Sequence, residues 1–110
     1  MGLELLNEMN KKIEQSETAL SELQKNGRQY AEAERNYKIA LRQKILELRA
    51  EGEKVTIIRD LATGDDDVAE KRMERDIAEA SYKTSQDKLN LIKLHLRILQ
   101  AQFDKEWSNE

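Results

Sequence analysis

The chain has 110 residues, no cysteine and no proline, a formal net charge of −3 and a mean hydropathy of −0.85. That length bounds it to one domain, the missing cysteines exclude a disulfide framework and thiolate chemistry, and no apolar run approaches a membrane span. With 38% hydrophobic and 37% charged residues, the composition suits long helices that bury one stripe each, rather than a compact core or a disordered chain.

The opening residues Met1-Gly2-Leu3-Glu4-Leu5-Leu6 are too acidic for a signal peptide. Leu6 also stands where a myristoylation motif wants Ser or Thr. A first helix is predicted over about 3–51. Its seam steps Leu6, Met9, Ile13, Ser16, Leu20, Leu23, Gly27 and Tyr30 in alternating threes and fours, then Ala33, Tyr37, Leu41, Ile45 and Leu48 less regularly. Gly27 is the obvious break, since Gly costs about 1 kcal/mol against Ala inside a helix. The seam keeps its phase through Gly27, which favours one continuous or bent helix with a close neighbour at the glycine. The alternative is a helix–turn–helix with Gly27 just past the first helix.

The tip, about 52–66, begins at Gly52. Thr56 is the expected cap of a short helix from Ile57 to about Ala62, which Gly64 ends. Asp65, Asp66 and Asp67 then open a last helix over about 66–107, where carboxylates favour the positive end of the helix dipole. Consecutive aspartates lack the spaced oxygen ligands of a calcium site, so capping is the preferred reading. The main seam of the last helix is Ala78, Tyr82, Ser85, Leu89, Ile92, Leu96, Leu99 and Phe103. A flanking stripe runs Met73, Ile77, Ala80, Thr84, Leu91, Leu94 and Ile98.

The fold class is therefore all-α: a long antiparallel, coiled-coil-like helical hairpin with a short helical tip. The apolar face from Leu89 to Leu99 is too wide for one neighbour. A homo-oligomer, with a dimer favoured and a helical bundle as its form, is expected. Its interface residues would be Leu89, Leu91, Ile92, Leu96, Leu99 and Phe103.

No constellation in the chain carries chemistry. His95 is the only histidine and has neither a nucleophile motif nor a set of metal ligands beside it. The four glycines are isolated, so there is no phosphate loop. The expectation is no enzyme, no metal and no cofactor. Charge is uneven: residues 28–49 and 71–97 are each net +3, while 50–70 is net −5. The basic waist offers Arg28, Arg35, Lys38, Arg42, Lys83 and Lys88 as nucleic-acid contacts, interleaved with Tyr30, Tyr37 and Tyr82. The tyrosines lie on the seams, however. A turn centred near residue 59 would set Tyr37 against Tyr82 across the hairpin as core. The tip offers Ile57, Ile58, Arg59 and Leu61 either as a cap on the bundle end or as a partner-binding knob. Trp107 is expected to cover the free end against Met9 or Leu6, or to anchor an interface.

The stretches Tyr30-Ala-Glu-Ala-Glu-Arg35, Leu48-Arg-Ala-Glu-Gly-Glu-Lys-Val-Thr-Ile-Ile-Arg-Asp-Leu-Ala-Thr-Gly-Asp65 and Val68-Ala-Glu-Lys-Arg72, with the Leu96-Arg-Ile-Leu-Gln100 end, resemble small helical proteins of tailed phages and prophages of Gram-positive bacteria. Many of those are encoded near replication or recombination genes. The resemblance implies a phage context, a cytoplasmic location in the host cell and a phage or host protein as partner. It carries no functional residue. The secreted helical hairpins with a Trp-X-Gly turn are a poorer match, because the turn here holds Gly52 and Gly64 but no Trp. Taken together, the sequence suggests a non-enzymatic interaction module, an adaptor or inhibitor. The alternative is a single-stranded nucleic-acid-binding accessory protein.

Overall fold

The computed structural model describes residues 2–108. They form three helices, α1 (Gly2–Ala50), α2 (Val55–Thr63) and α3 (Asp66–Ser108), with no strand among the described residues. The expected all-α hairpin is what the chain adopts, and α1 runs through Gly27 without a break.

The turns follow from local chemistry. α1 ends in a Schellman motif: the Gly52 N–H donates to the Arg49 carbonyl at 3.1 Å and the Glu53 N–H to the Leu48 carbonyl at 3.1 Å. Gly52 closes it at φ 84, a conformation that a side chain would strain. Lys54, not Thr56, occupies the N-cap position of α2 and makes no side-chain cap bond. Thr56 instead lies inside the helix. Gly64 ends α2 as expected. Asp65 caps α3, its Oδ2 accepting the Val68 N–H at 3.3 Å. Asp66 and Asp67 lie in the first turn of α3, at the positive end of its dipole.

Packing divides the chain into two compact units. One is built from the two chain ends, up to Lys25 and from Lys83 onward; the other is Asn26–Tyr82. In the central unit, Lys44 pairs with Asp65 (3.5 Å) and Glu34 with Arg75 (3.9 Å), and Tyr30 lies on Tyr82 with ring centroids 5.9 Å apart. In the terminal unit, Glu22 meets Lys88 at 3.1 Å and Ala19 packs on Leu89 and Ile92. Within each unit α1 and α3 are therefore antiparallel.

This pairing corrects the expected register. Tyr82 meets Tyr30, not Tyr37, whose ring instead carries the Arg75 guanidinium 4.8 Å from its centroid. The chain turns back at Gly52, so α2 belongs to the returning arm. Its Ile58 and Ala62 pack on Leu48, with Leu41 and Ile45 alongside.

The α3 seam is as expected, with Ser85, Leu89 and Ile92 buried and Ala78, Tyr82, Leu96, Leu99 and Phe103 half-buried. The α1 seam in the terminal unit is rotated by one residue at every second step. Ala19 is buried and Leu5 and Lys12 half-buried, whereas Leu6, Ile13 and Leu20 are exposed. The reason is size: with Leu89 and Ile92 filling the seam from α3, the small Ala19 admits the close approach that Leu20 would prevent. Trp107 does not cover the end of the hairpin. It is 70% exposed and stacks on Phe103.

At Gly27 a Cβ would stand 3.0 Å from the Tyr82 ring. The glycine thus exchanges helix propensity for ring contact. Gly27→Ala should be near neutral alone, because about 1 kcal/mol of propensity is offset by crowding of Tyr82. In a Tyr82→Ala background the same change should stabilise by about 1 kcal/mol. Urea unfolding of the four proteins measures this coupling, and equal effects in both backgrounds would show that the ring does not press on Gly27.

Candidate interaction surfaces

α3 carries apolar side chains on two opposite faces. One face is the seam with α1. The other steps along the far side of the helix by the same threes and fours. In the central unit it presents Met73 (52% exposed) and Ile77 (59%), with Ala80; in the terminal unit it presents Leu91 (53%), Leu94 (45%) and Ile98 (49%). In each unit, three apolar side chains open to solvent at steps of three and four are a patterned face, unlike the scattered exposed leucines of any soluble surface. Among the described residues Met73, Ile77 and Ala80 line a groove with Ala69, Arg72 and Asp76.

This placement corrects the expected interface. Leu89, Ile92 and Leu96 form a core cluster with Ala19 and Leu23 inside the terminal unit. Leu99 and Phe103 continue the same seam half-buried. All five are thus buried or half-buried in the single hairpin rather than open to solvent. Of the six expected residues only Leu91 lies on the open face. The flanking stripe, not the main seam, is what remains available.

The tip divides in the same way. Ile58 is 4% exposed and is a core residue, which removes it from any binding knob. Ile57 (40%) and Leu61 (43%) stand one turn apart on the open side of α2, with Arg59 exposed and Val55 78% exposed at its start.

The expected basic residues fall on both long helices, Arg28, Arg35, Lys38 and Arg42 on α1 and Lys83 and Lys88 on α3, and all six are exposed. Arg28, Arg35, Arg42 and Arg49 are exposed and stand seven residues apart, so they form one ladder along the central unit. Arg35, Lys38 and Arg42 line a groove with Ala31, Glu34 and Ile39. Lys38 is paired with Glu34 at 3.7 Å. On α3, Lys88 is paired with Glu22, and Lys83 also has an interaction partner. Arg49 escaped the sequence reading, although the recurrence of arginine every seven residues could have revealed it.

The tyrosines form core contacts. The Tyr30 hydroxyl hydrogen-bonds Glu34, and that bond, with burial and the same carboxylate's charge, raises its pKa above the ordinary phenol value of 10.0. The protonated phenol is the form the fold prefers. Its contribution is thus present below that ordinary value and lost as pH rises through the raised one. Lys44 is raised above its ordinary value chiefly by the Asp65 charge, with the Glu47 hydrogen bond adding to it. Asp65 is thereby engaged by both a cap bond and a lysine.

His95 is half-buried. Among the described residues no group of three or more His, Cys, Asp or Glu is placed to hold a metal, and no helix is long and apolar enough to cross a membrane. Comparison with protein-family models, curated proteins and solved structures finds no match.

Proposed function

We propose that this chain is a non-enzymatic protein-interaction module that acts as a homo-oligomer, an adaptor or inhibitor directed at a phage or host protein. The observation that carries this reading is the second apolar face of α3, stepped like a seam and open to solvent at Met73 and Ile77 in the central unit and at Leu91, Leu94 and Ile98 in the terminal unit. Its regular stepping is the mark of a helix that expects another helix. The phage setting, the host cytoplasm and the identity of the target come from the resemblance described above and belong to the proposal. The exposed side of the tip, Ile57, Arg59 and Leu61, is the place for that target, because it lies apart from the α3 stripe. Sedimentation velocity at micromolar concentration tests the reading. A dimer or larger species is expected, and a folded monomer up to high micromolar concentration would contradict it.

A second reading has its own support. The arginine ladder on α1 presents four guanidinium groups on one face, and Arg28, Arg35, Arg42 and Arg49 have no ion pair among the described residues. Such a ladder suits the phosphates of single-stranded nucleic acid. Lys83 and Lys88 leave that set, since both have partners on the protein. Fluorescence anisotropy with a short labelled oligonucleotide at roughly 50 mM salt, where counterion release favours binding, tests it. Binding that weakens steeply with salt and is lost on Arg35→Glu with Arg42→Glu supports this reading; no binding at that salt removes it.

A further inference from the structure

Resting on the self-association reading above, we propose that copies of this chain join through unlike faces of the central unit, the arginine face of α1 on one copy seating on the acidic and apolar outer face of α3 on the next. Both faces lie within Asn26–Tyr82. Each is carried by an unbroken helix and lies on the side away from the seam of that unit. On α1, Ile39 and Leu46 stand two residues from the seam residues Tyr37 and Leu48, about 200° round the helix. On α3, Met73 and Ile77 stand two residues either side of Arg75, which reaches Glu34 and Tyr37 of α1.

The α1 face alternates guanidinium and hydrocarbon. Arg35, Ile39, Arg42, Leu46 and Arg49 follow one another in steps of four and three and are all exposed, Ile39 at 47% and Leu46 at 51%. Arg28 and Glu32 extend the same stripe. The α3 face has the same stepping and the opposite charge. Its stripe is Asp66, Glu70, Met73, Ile77 and Ala80, again all exposed. Glu74 and Asp76 border it, paired with Lys71 and Arg75, and Arg72 stands at its edge one turn before Asp76. Ile39 and Leu46 are seven residues apart, as are Met73 and Ala80, so the apolar rows of the two faces keep step. Arg35, Arg42 and Arg49 have no ion pair among the described residues, and neither do Asp66 and Glu70.

Charge selects the pairing. Two α1 faces would set arginine on arginine, and two α3 faces would crowd Asp66 and Glu70 with further carboxylates. The unlike pairing gives the guanidinium groups carboxylates to reach and covers Ile39 and Leu46 with Met73, Ile77 and Ala80. The hydrocarbon between the arginines also favours a helix over nucleic acid at this face. Phosphates need no aliphatic partner, bases stack on aromatic rings, and Tyr30, Tyr37 and Tyr82 are engaged in core contacts. A contact between unlike faces leaves one face of each kind open on every pair, so association continues with concentration unless a ring closes.

Exchanging the charges tests this pairing. Arg35→Glu with Arg42→Glu turns the α1 face acidic, and Asp66→Lys with Glu70→Lys turns the α3 face basic. Asp65, which makes the α3 cap bond and pairs with Lys44, stays in place. All four positions are exposed, so each double variant should keep its helical circular dichroism. In sedimentation velocity at low salt, each variant alone is expected to run as a monomer. Their equimolar mixture is expected to regain the wild-type species, because the exchanged faces complement each other. Variants that associate as the wild type does would overturn the choice of faces while leaving self-association intact. Loss of association in both, with no recovery on mixing, would overturn the pairing of one face with the other. A wild type that stays monomeric would overturn both this proposal and the reading on which it rests. Oligonucleotide binding that the arginine variant loses while its association is unchanged would assign the ladder to nucleic acid and overturn the proposal. Ile39→Ser with Leu46→Ser is an independent arm that leaves every charge in place. It should stay helical and sediment as a monomer; an unchanged oligomer would overturn the proposal.

Discussion

The seam between α1 and α3 is the contact on which the rest of the molecule depends, and it is thin. Two helices cover only one stripe of each other, and here their most deeply buried side chains are small: Ala19 on α1 and Val68 on α3. Gly27 brings the Tyr82 ring against the backbone of α1. Small residues let the helices approach closely, but they bury little apolar area per turn. Ion pairs and the stacking of Arg75 on Tyr37 flank the seam. Most of these groups are partly exposed, so each adds little and chiefly fixes register. A hairpin with so narrow a core gains from covering its remaining apolar face, and α3 has such a face built to the same period.

The division of labour among faces follows. α3 has one face for α1 and an opposite face patterned for another helix. α1 turns an arginine ladder outward in the central unit, and α2 turns Ile57 and Leu61 outward at the tip. Each helix thus turns a different kind of surface to solvent.

Much of this was legible in the sequence, and what was not has identifiable causes. Helix content, the break at Gly52, the cap at Asp65 and the α3 seam follow from periodicity and terminus chemistry, which are local. The α1 seam was misplaced at every second step, because hydrophobicity alone favours Leu20 over Ala19, while the packing distance favours the smaller side chain. The pairing of Tyr37 with Tyr82 failed because it assumed a symmetric tip; the Schellman turn at Gly52 gives α2 to the returning arm, and no periodicity reports that. Five of the six expected interface residues fall on the stripe that faces α1 or is half-covered in the single hairpin, for a related reason. Two apolar faces of one helix look alike in sequence, and only the position of α1 decides which is already covered. The tip was half legible, since Ile57 and Ile58 are neighbours about 100° apart on α2, the first exposed and the second buried.

Methionine oxidation tests the central claim, that a second copy covers the outer face of α3, most directly. Met73 lies on that face, 52% exposed in the single hairpin, while Met9, on α1, is half-buried. Brief treatment with dilute peroxide at a series of protein concentrations, read by peptide mass spectrometry, follows both residues at once. The account predicts that Met73 oxidises slowly when the protein is concentrated and faster on dilution, while Met9 changes little. A rate for Met73 that is the same at every concentration, in protein that stays folded throughout, would contradict it.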